Sequence, residues 1–200
     1  VLGVIGANGA GKSSLMRVVA GIVPPTAGRV EVYGQVSTLL SLGVGFNARL
    51  TGRENVILGG LAAGLTRAEI EEQFSAIADF ADIGEAIDSP MKTYSAGMYS
   101  RLAFAVAVVV EPDVLIVDEA LSTGDAKFKK KSLEKIKTLR SENRAIILVS
   151  HALATIKEIC NDVIWLDKGK IVMRGNPDEV VAAYKESLQV AKSSSADEDL

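Results

Sequence analysis

The sequence predicts an α/β fold with a mostly parallel sheet and helices on both of its faces. Three observations carry that expectation. Short apolar runs rich in β-branched residues recur along the chain: VLGVI at 1–5, VLIVD at 114–118, AIILVS at 145–150 and DVIWLD at 162–167. Runs this uniformly apolar read as strands buried on both faces. Helical periodicity fills the stretches between them, the alternation that builds parallel sheets. A glycine-rich loop joins the first run to the first helix, a strand–loop–helix arrangement suited to phosphate.

Taken in chain order, the elements justify themselves locally. Residues 1–5 form a core strand, so the chain opens inside the fold and further N-terminal strands are expected upstream. Arg29–Leu42 alternates around a glycine turn and is expected as an antiparallel β flap. Thr51–Ala81 is helical, with caps at Thr51 and Thr66; TRAE at 66–69 is a capping box. Helical patterning returns after Ser95, giving a helical subdomain of about residues 51–110. FKKKSLEKIKTLR at 128–140 is an amphipathic helix whose basic face reads as a solvated surface. The folded domain is expected over residues 1–190, and the small, polar, acidic residues 191–200 as a disordered tail.

Composition narrows the classes. Two hundred residues, 48% of them hydrophobic, suit one domain with a small subdomain. A net charge of −3 disfavours a chain that wraps nucleic acid. The single cysteine, Cys160, allows no internal disulfide and suits a reducing compartment. The longest apolar stretch, residues 102–110, is far short of the ~20 residues that span a bilayer. No signal peptide is visible. Contact with a membrane is therefore expected to go through a partner.

Gly6–Ser14, GANGAGKSS, fits G-x-x-x-x-G-K-[ST] with Gly6, Gly11, Lys12 and Ser13 in the fixed places. Glycines let the backbone turn its N–H groups inward around phosphates, so Gly6, Asn8, Gly9, Ala10, Gly11, Lys12, Ser13 and Ser14 are the candidate nucleotide contacts. Lys12 is expected at the outer phosphates and the Ser13 hydroxyl on Mg²⁺. Downstream, four apolar residues lead into Asp118 and Glu119. Carboxylates at the C-terminal end of a buried strand face the ligand crevice of such sheets. Asp118 is a candidate Mg²⁺ ligand and Glu119 a candidate base for the attacking water. His151, the only histidine, also follows an apolar strand and is a candidate partner of a γ-phosphate.

These elements in this order resemble the ATP-binding cassette (ABC) ATPases over roughly residues 1–175. Gly6–Ser13 matches Walker A and LIVDE Walker B, with Glu119 in the catalytic-base position. Ser122–Asp125 resembles the D-loop, with Asp125 its acid, and His151 the switch histidine. YSAGM, residues 94–98, resembles the signature usually written LSGGQ: Tyr94 replaces leucine, Ala96 the first glycine and Met98 the glutamine, while Ser95 and Gly97 remain. The resemblance implies a P-loop core with a helical signature subdomain, and ATP and Mg²⁺ as cofactors. It implies a head-to-tail homodimer in which Ser95, Ala96, Gly97 and Met98 of one copy face phosphates held by the other.

Two departures stand out. No glutamine lies between Val36 and Glu72, although the family carries one near the position of Ser41 or Leu42. The aromatic that stacks on adenine would lie upstream of Val1. LGVGFNARLTGREN, with YSAGM and DEALSTGD, further resembles the ATPase subunits of bacterial polysaccharide exporters of O-antigen, teichoic acid and cell-wall galactan type. That implies a separate membrane permease, a lipid-linked glycan substrate, no nucleic acid, and a peripheral location at the cytoplasmic face of the bacterial inner membrane. Some members carry a carbohydrate-binding domain after the ATPase; the short polar tail predicts none here. A soluble cassette ATPase of translation or repair, an importer subunit, and a module that binds ATP without turnover are the alternatives.

Overall fold

The computed structural model describes residues 1–39, 45–118 and 125–196, with side chains through Val190. Contacts divide the chain into two compact units, Val1–Leu15 with Ile147–Leu200, and Met16–Ile146.

In the first unit, β1 (Leu2–Ile5), β5 (Asp162–Asp167) and β6 (Lys170–Gly175) join the end of β4 (Ala145–Val149) in the order β4-β1-β5-β6. β1 runs parallel to β4, with Leu2 opposite Ile147, and parallel to β5, with Leu2 opposite Asp162. β6 returns antiparallel to β5. Helices α6 (Leu153–Ile159) and α7 (Pro177–Ala196) complete the unit. Val4, Leu148, Val149, Ile156, Ile159, Val163 and Val180 are all inaccessible to solvent, as the β-branched runs predict. The disordered tail was expected from residue 191, yet α7 continues to Ala196. Lys185, Glu186 and Lys192 favour helix, and Pro177 at its first turn costs no hydrogen bond.

The second unit holds β2 (Val36–Thr38), β3 (Val114–Asp118) and the start of β4, in the order β2-β3-β4. Its helices are α2 (Gly52–Ala62), α3 (Arg67–Ala81), α4 (Ala96–Val109) and α5 (Ala126–Ser141), with most of α1 (Lys12–Val19). Both expected caps form, the Thr66 capping box with Glu69 as read from TRAE, and Thr51 in a second box with Glu54 that the sequence reading gives only as a cap. α2, α3 and α4 bury one apolar cluster that includes Val56, Ile70, Ile77 and Leu102.

The flap is expected over Arg29–Leu42, of which residues 29–39 are described. Among the described residues of Arg29–Leu42 the only strand is β2, and it pairs parallel with β3. Asp113 organises this: one carboxylate oxygen accepts from Gln35 N at 2.9 Å and the other from Arg144 at 2.7 Å. Val114 N then donates to Gln35 O at 3.0 Å, which starts the parallel ladder. Val30 and Val32 alternate as a strand would, but both are exposed, as is Tyr33, to 82%. Alternation alone forms no strand without a partner ladder. The basic face of α5 is also more than a solvated surface. Lys127 pairs with Asp82 at 3.2 Å, Lys135 with Glu111 at 3.2 Å, and Lys131 donates to the carbonyls of Asp79 and Phe80 at the end of α3. Ammonium groups there complement the negative end of that helix.

Candidate functional site

In the first unit, β1 delivers the chain into the Gly6–Ser14 loop. Gly6 has φ 152°, and a Cβ there would stand 2.2 Å from Leu166 O, so no other residue fits. Ala10 N closes the turn on Ala7 O at 3.2 Å, and Ala10 is buried. Asn8, Gly9, Ser13 and Ser14 face solvent. Lys12 opens α1 and folds back over the loop. Its Nζ donates to Gly6 O and Ala7 O, both at 2.9 Å, and the residue is only 6% exposed.

That lysine gives the loop its chemistry. An ammonium has three donors, and burying its charge is costly without a counter-charge. Among the described residues its acceptors are neutral carbonyls, and no carboxylate pairs with it. At the same place the first N–H groups of α1 have no partners within the helix and carry its positive end. The loop is therefore built for an anion with several oxygens, and the phosphate chain of a nucleotide has that form.

Two contributors escaped the sequence reading. β5 and β6 turn through Lys168 (φ 46°) and Gly169 (φ 77°), a two-residue hairpin loop with both central residues left-handed. Gly169 N donates to Ala10 O at 2.9 Å, and the Leu166 carbonyl abuts Gly6. The hairpin thus braces the phosphate loop. Its signal was available in DKGK between two alternating runs. His151 follows β4 in the same unit, exposed, and lines with Gly6 and Tyr184 a cavity of 150 Å³. The histidine and the first loop glycine thus line one cavity. Ser150 Oγ accepts from Ala152 N at 3.0 Å and fixes the turn that carries it.

In the second unit Asp118 closes β3, half-buried. Glu119 and Ser122–Gly124 lie outside the described residues, as do Ser41 and Leu42. Asp125 is the N-cap of α5: its carboxylate accepts from Phe128 N at 2.8 Å and pairs with Arg101. The Phe128 N–H first, and then the Arg101 charge, hold this carboxyl below the usual range. Ser95 caps α4, accepting from Met98 N at 3.2 Å. Ser95 and Ala96 are exposed, and Gly97 and Met98 are half-buried. Among the described residues, and apart from its chain neighbours and its own helix backbone, a Cβ built on Gly97 meets only Ser95 Oγ within 4 Å, at 3.8 Å, so the start of α4 is open there. Among the described residues no cluster of three metal-ligating side chains occurs. The Ser13 hydroxyl in the first unit and the Asp118 carboxylate in the second are each hard oxygen donors, the class of ligand that Mg²⁺ takes.

The family model described as "ABC transporter" matches residues 1–122. The chain belongs to the ABC transporter family. Within it, the chain is 45% identical to the O-antigen export system ATP-binding protein RfbB of Myxococcus xanthus, over 98% of this chain and 45% of that protein. It is 45% identical to the teichoic acids export ATP-binding protein TagH of Lactococcus lactis, over 94% of this chain and 40% of that protein. Against an O-antigen export system ATP-binding protein RfbB of Klebsiella pneumoniae the identity is 39%, over 92% of this chain and 75% of that protein. The chain thus spans less than half the length of the first two relatives. A solved ATP-binding subunit of an ABC transporter superposes with a TM-score of 0.82 at 24% identity, covering 92% of this chain and 81% of that one. A dimeric ATP-binding cassette in a post-hydrolysis state with ADP and Pi gives 0.76 at 18% identity, over 88% and 84%. Both agree on an ABC ATPase fold, α/β with a mostly parallel sheet.

Proposed function

We propose that this chain is the ATP-binding and hydrolysing part of a transporter that exports a lipid-linked polysaccharide through a separate membrane permease. The observation that carries the nucleotide half is Lys12, a buried ammonium held over the loop by two carbonyls with no carboxylate beside it among the described residues. The export half is supported by relatives named for O-antigen and teichoic acid export, which this chain matches over nearly all of its length.

In this reading the loop N–H groups from Gly6 to Ser14 cradle the phosphates and Lys12 follows charge onto the γ-phosphate as it is transferred. Ser13 and Asp118 are the residues that would hold Mg²⁺, which would neutralise phosphate charge. Glu119 accepts a proton from the attacking water, the bond from the γ-phosphorus to its bridging oxygen breaks, and ADP leaves with phosphate. His151 steadies a γ-phosphate oxygen. Ser95, Ala96, Gly97 and Met98 complete the pocket of a second copy, so two chains close head to tail around ATP, with Asp125 beside that contact. Hydrolysis reopens the pair and the permease moves. No described helix is long and apolar enough to cross a membrane, which suits a subunit held peripherally at the cytoplasmic face by its permease.

The test is phosphate release by the full-length protein, alone and with its permease, beside surface-glycan export in cells carrying Glu119→Gln. The expected result is ATP binding without turnover and loss of the surface glycan. Turnover at the parent rate in that variant overturns the role of Glu119. Normal surface glycan in cells lacking the protein overturns the export reading and favours an importer or a soluble ATPase.

A further inference from the structure

We propose that Tyr94 and Gly52 interlock to set the position of the α4 N-terminus, which makes Tyr94 a positioning residue for Ser95 and Gly97. The inference rests on the reading that this helix start meets phosphate.

The chain around Ala48–Gly52 is stitched to the segment that leads into α4. Lys92 N donates to Ala48 O at 2.8 Å, Met91 N to Leu50 O at 2.9 Å, and Gly52 N to Ser89 O at 3.3 Å, with an antiparallel bridge between Thr51 and Pro90. One side of the stitch is held rigid by Asn55, which is fully buried. It accepts from Asn47 N at 2.6 Å and donates to Asn47 O at 3.0 Å and Thr51 O at 2.8 Å. The two segments therefore move as one.

Tyr94 ends the stitched segment and directly precedes the Ser95 cap. Its hydroxyl donates to Ala86 O at 2.6 Å, inside the 3₁₀ turn Gly84–Asp88. The leucine that the family signature carries here has no such donor. Gly52 leaves the space: a Cβ there would stand 2.2 Å from Tyr94 Oη and 3.0 Å from Ile87 O. Gly52 has no left-handed φ to explain a glycine, and alanine is the better residue in a helix. Room for the phenol is what it supplies. Burial pushes the Tyr94 phenol pKa up, which keeps the hydroxyl a donor. Because the ring is rigid, any push at Oη swings the side chain about its own Cα, one residue from the cap. A shift of about 1 Å in a positioning group costs up to about 100-fold in rate.

The test uses the full-length protein and the variants Gly52→Ala, Tyr94→Leu, Tyr94→Phe and Gly52→Ala with Tyr94→Leu. Three quantities are read: ATP affinity, kcat, and amide hydrogen exchange across residues 95–99 without nucleotide. Gly52→Ala is expected to lower kcat about tenfold or more while the ATP Kd changes by less than about twofold, and to speed exchange at the cap. Adding Tyr94→Leu makes room and is expected to restore kcat to within about threefold of the parent, with exchange slower than in Gly52→Ala and no faster than in Tyr94→Phe. Tyr94→Phe keeps the ring and loses only the bond to Ala86 O, so its exchange quickens with a smaller loss of kcat. A Gly52→Ala variant that matches the parent in kcat and exchange overturns the proposal. So does a double variant no better than Gly52→Ala. If the parent itself hydrolyses no ATP, the ATPase reading fails, and the exchange pattern still decides the interlock.

Discussion

Two helix N-termini in this chain, both proposed to meet phosphate, are built in different ways. At the start of α1 the backbone is bent by glycines, braced by a hairpin turn and loaded with a buried cation. At the start of α4 a serine caps an ordinary first turn, and the surrounding surface is open. A helix end alone contributes about 0.3–1 kcal/mol toward a nearby charge at an exposed site. Bonds from a charged donor are roughly twice as strong as neutral ones. The α1 start can therefore hold a phosphate chain by itself. The α4 start can add donors only to a phosphate that something else already holds. The difference explains why one motif is legible alone and the other gains meaning only beside it.

The comparison can be broken most sharply at Lys12. Lys12→Ala removes the buried cation of the α1 site, and hydrolysis should fall by about 100-fold or more with ATP affinity weakened too. Isothermal titration and phosphate release measure both; parent-like affinity would mean that the loop alone suffices. Glu119→Gln separates holding from reacting: affinity stays, and kcat drops by about 100-fold or more. Gly6→Ala attacks the brace. Its Cβ would meet Leu166 O in a backbone region hostile to side chains, so stability should fall by about 1–3 kcal/mol in a denaturant melt. Ser95→Ala tests the open site. It should cost about 1 kcal/mol as a lost cap and lower kcat, while the ATP affinity of an isolated chain stays the same.

The smallest effect concerns pH. The folded pKa of Asp125 is lowered by the Phe128 N–H and by Arg101, so its stabilisation is fully present above the ordinary value of 3.8 and is lost as pH falls through the lower folded value. Asp125→Asn should therefore lose part of the acid-side slope in melting temperature below pH ~4, and match the parent's slope at neutral pH. An unchanged acid slope would mean that the cap bond does not distinguish the two charge states.

Legibility followed the range of the interactions. The phosphate loop was readable because glycine spacing and an adjacent lysine act within nine residues. The caps at Thr51 and Thr66 were readable because each spans one helical turn. Strand pairing was less legible: Val30 and Val32 alternate as strand residues, and nothing local says whether a partner ladder will meet them. The bracing hairpin was overlooked although DKGK announces a turn; what it touches is about 160 residues away in sequence, from Ala10 to Gly169.

From the sequence alone came the family, the anion loop, the candidate acids and the helix caps, because each is encoded by neighbours along the chain. Tertiary structure alone decided that β2 joins the parallel ladder, that the β5–β6 turn supports the loop and that Tyr94 fits against Gly52. Those outcomes depend on which distant surfaces meet, and steric fit between remote segments leaves no periodicity to read.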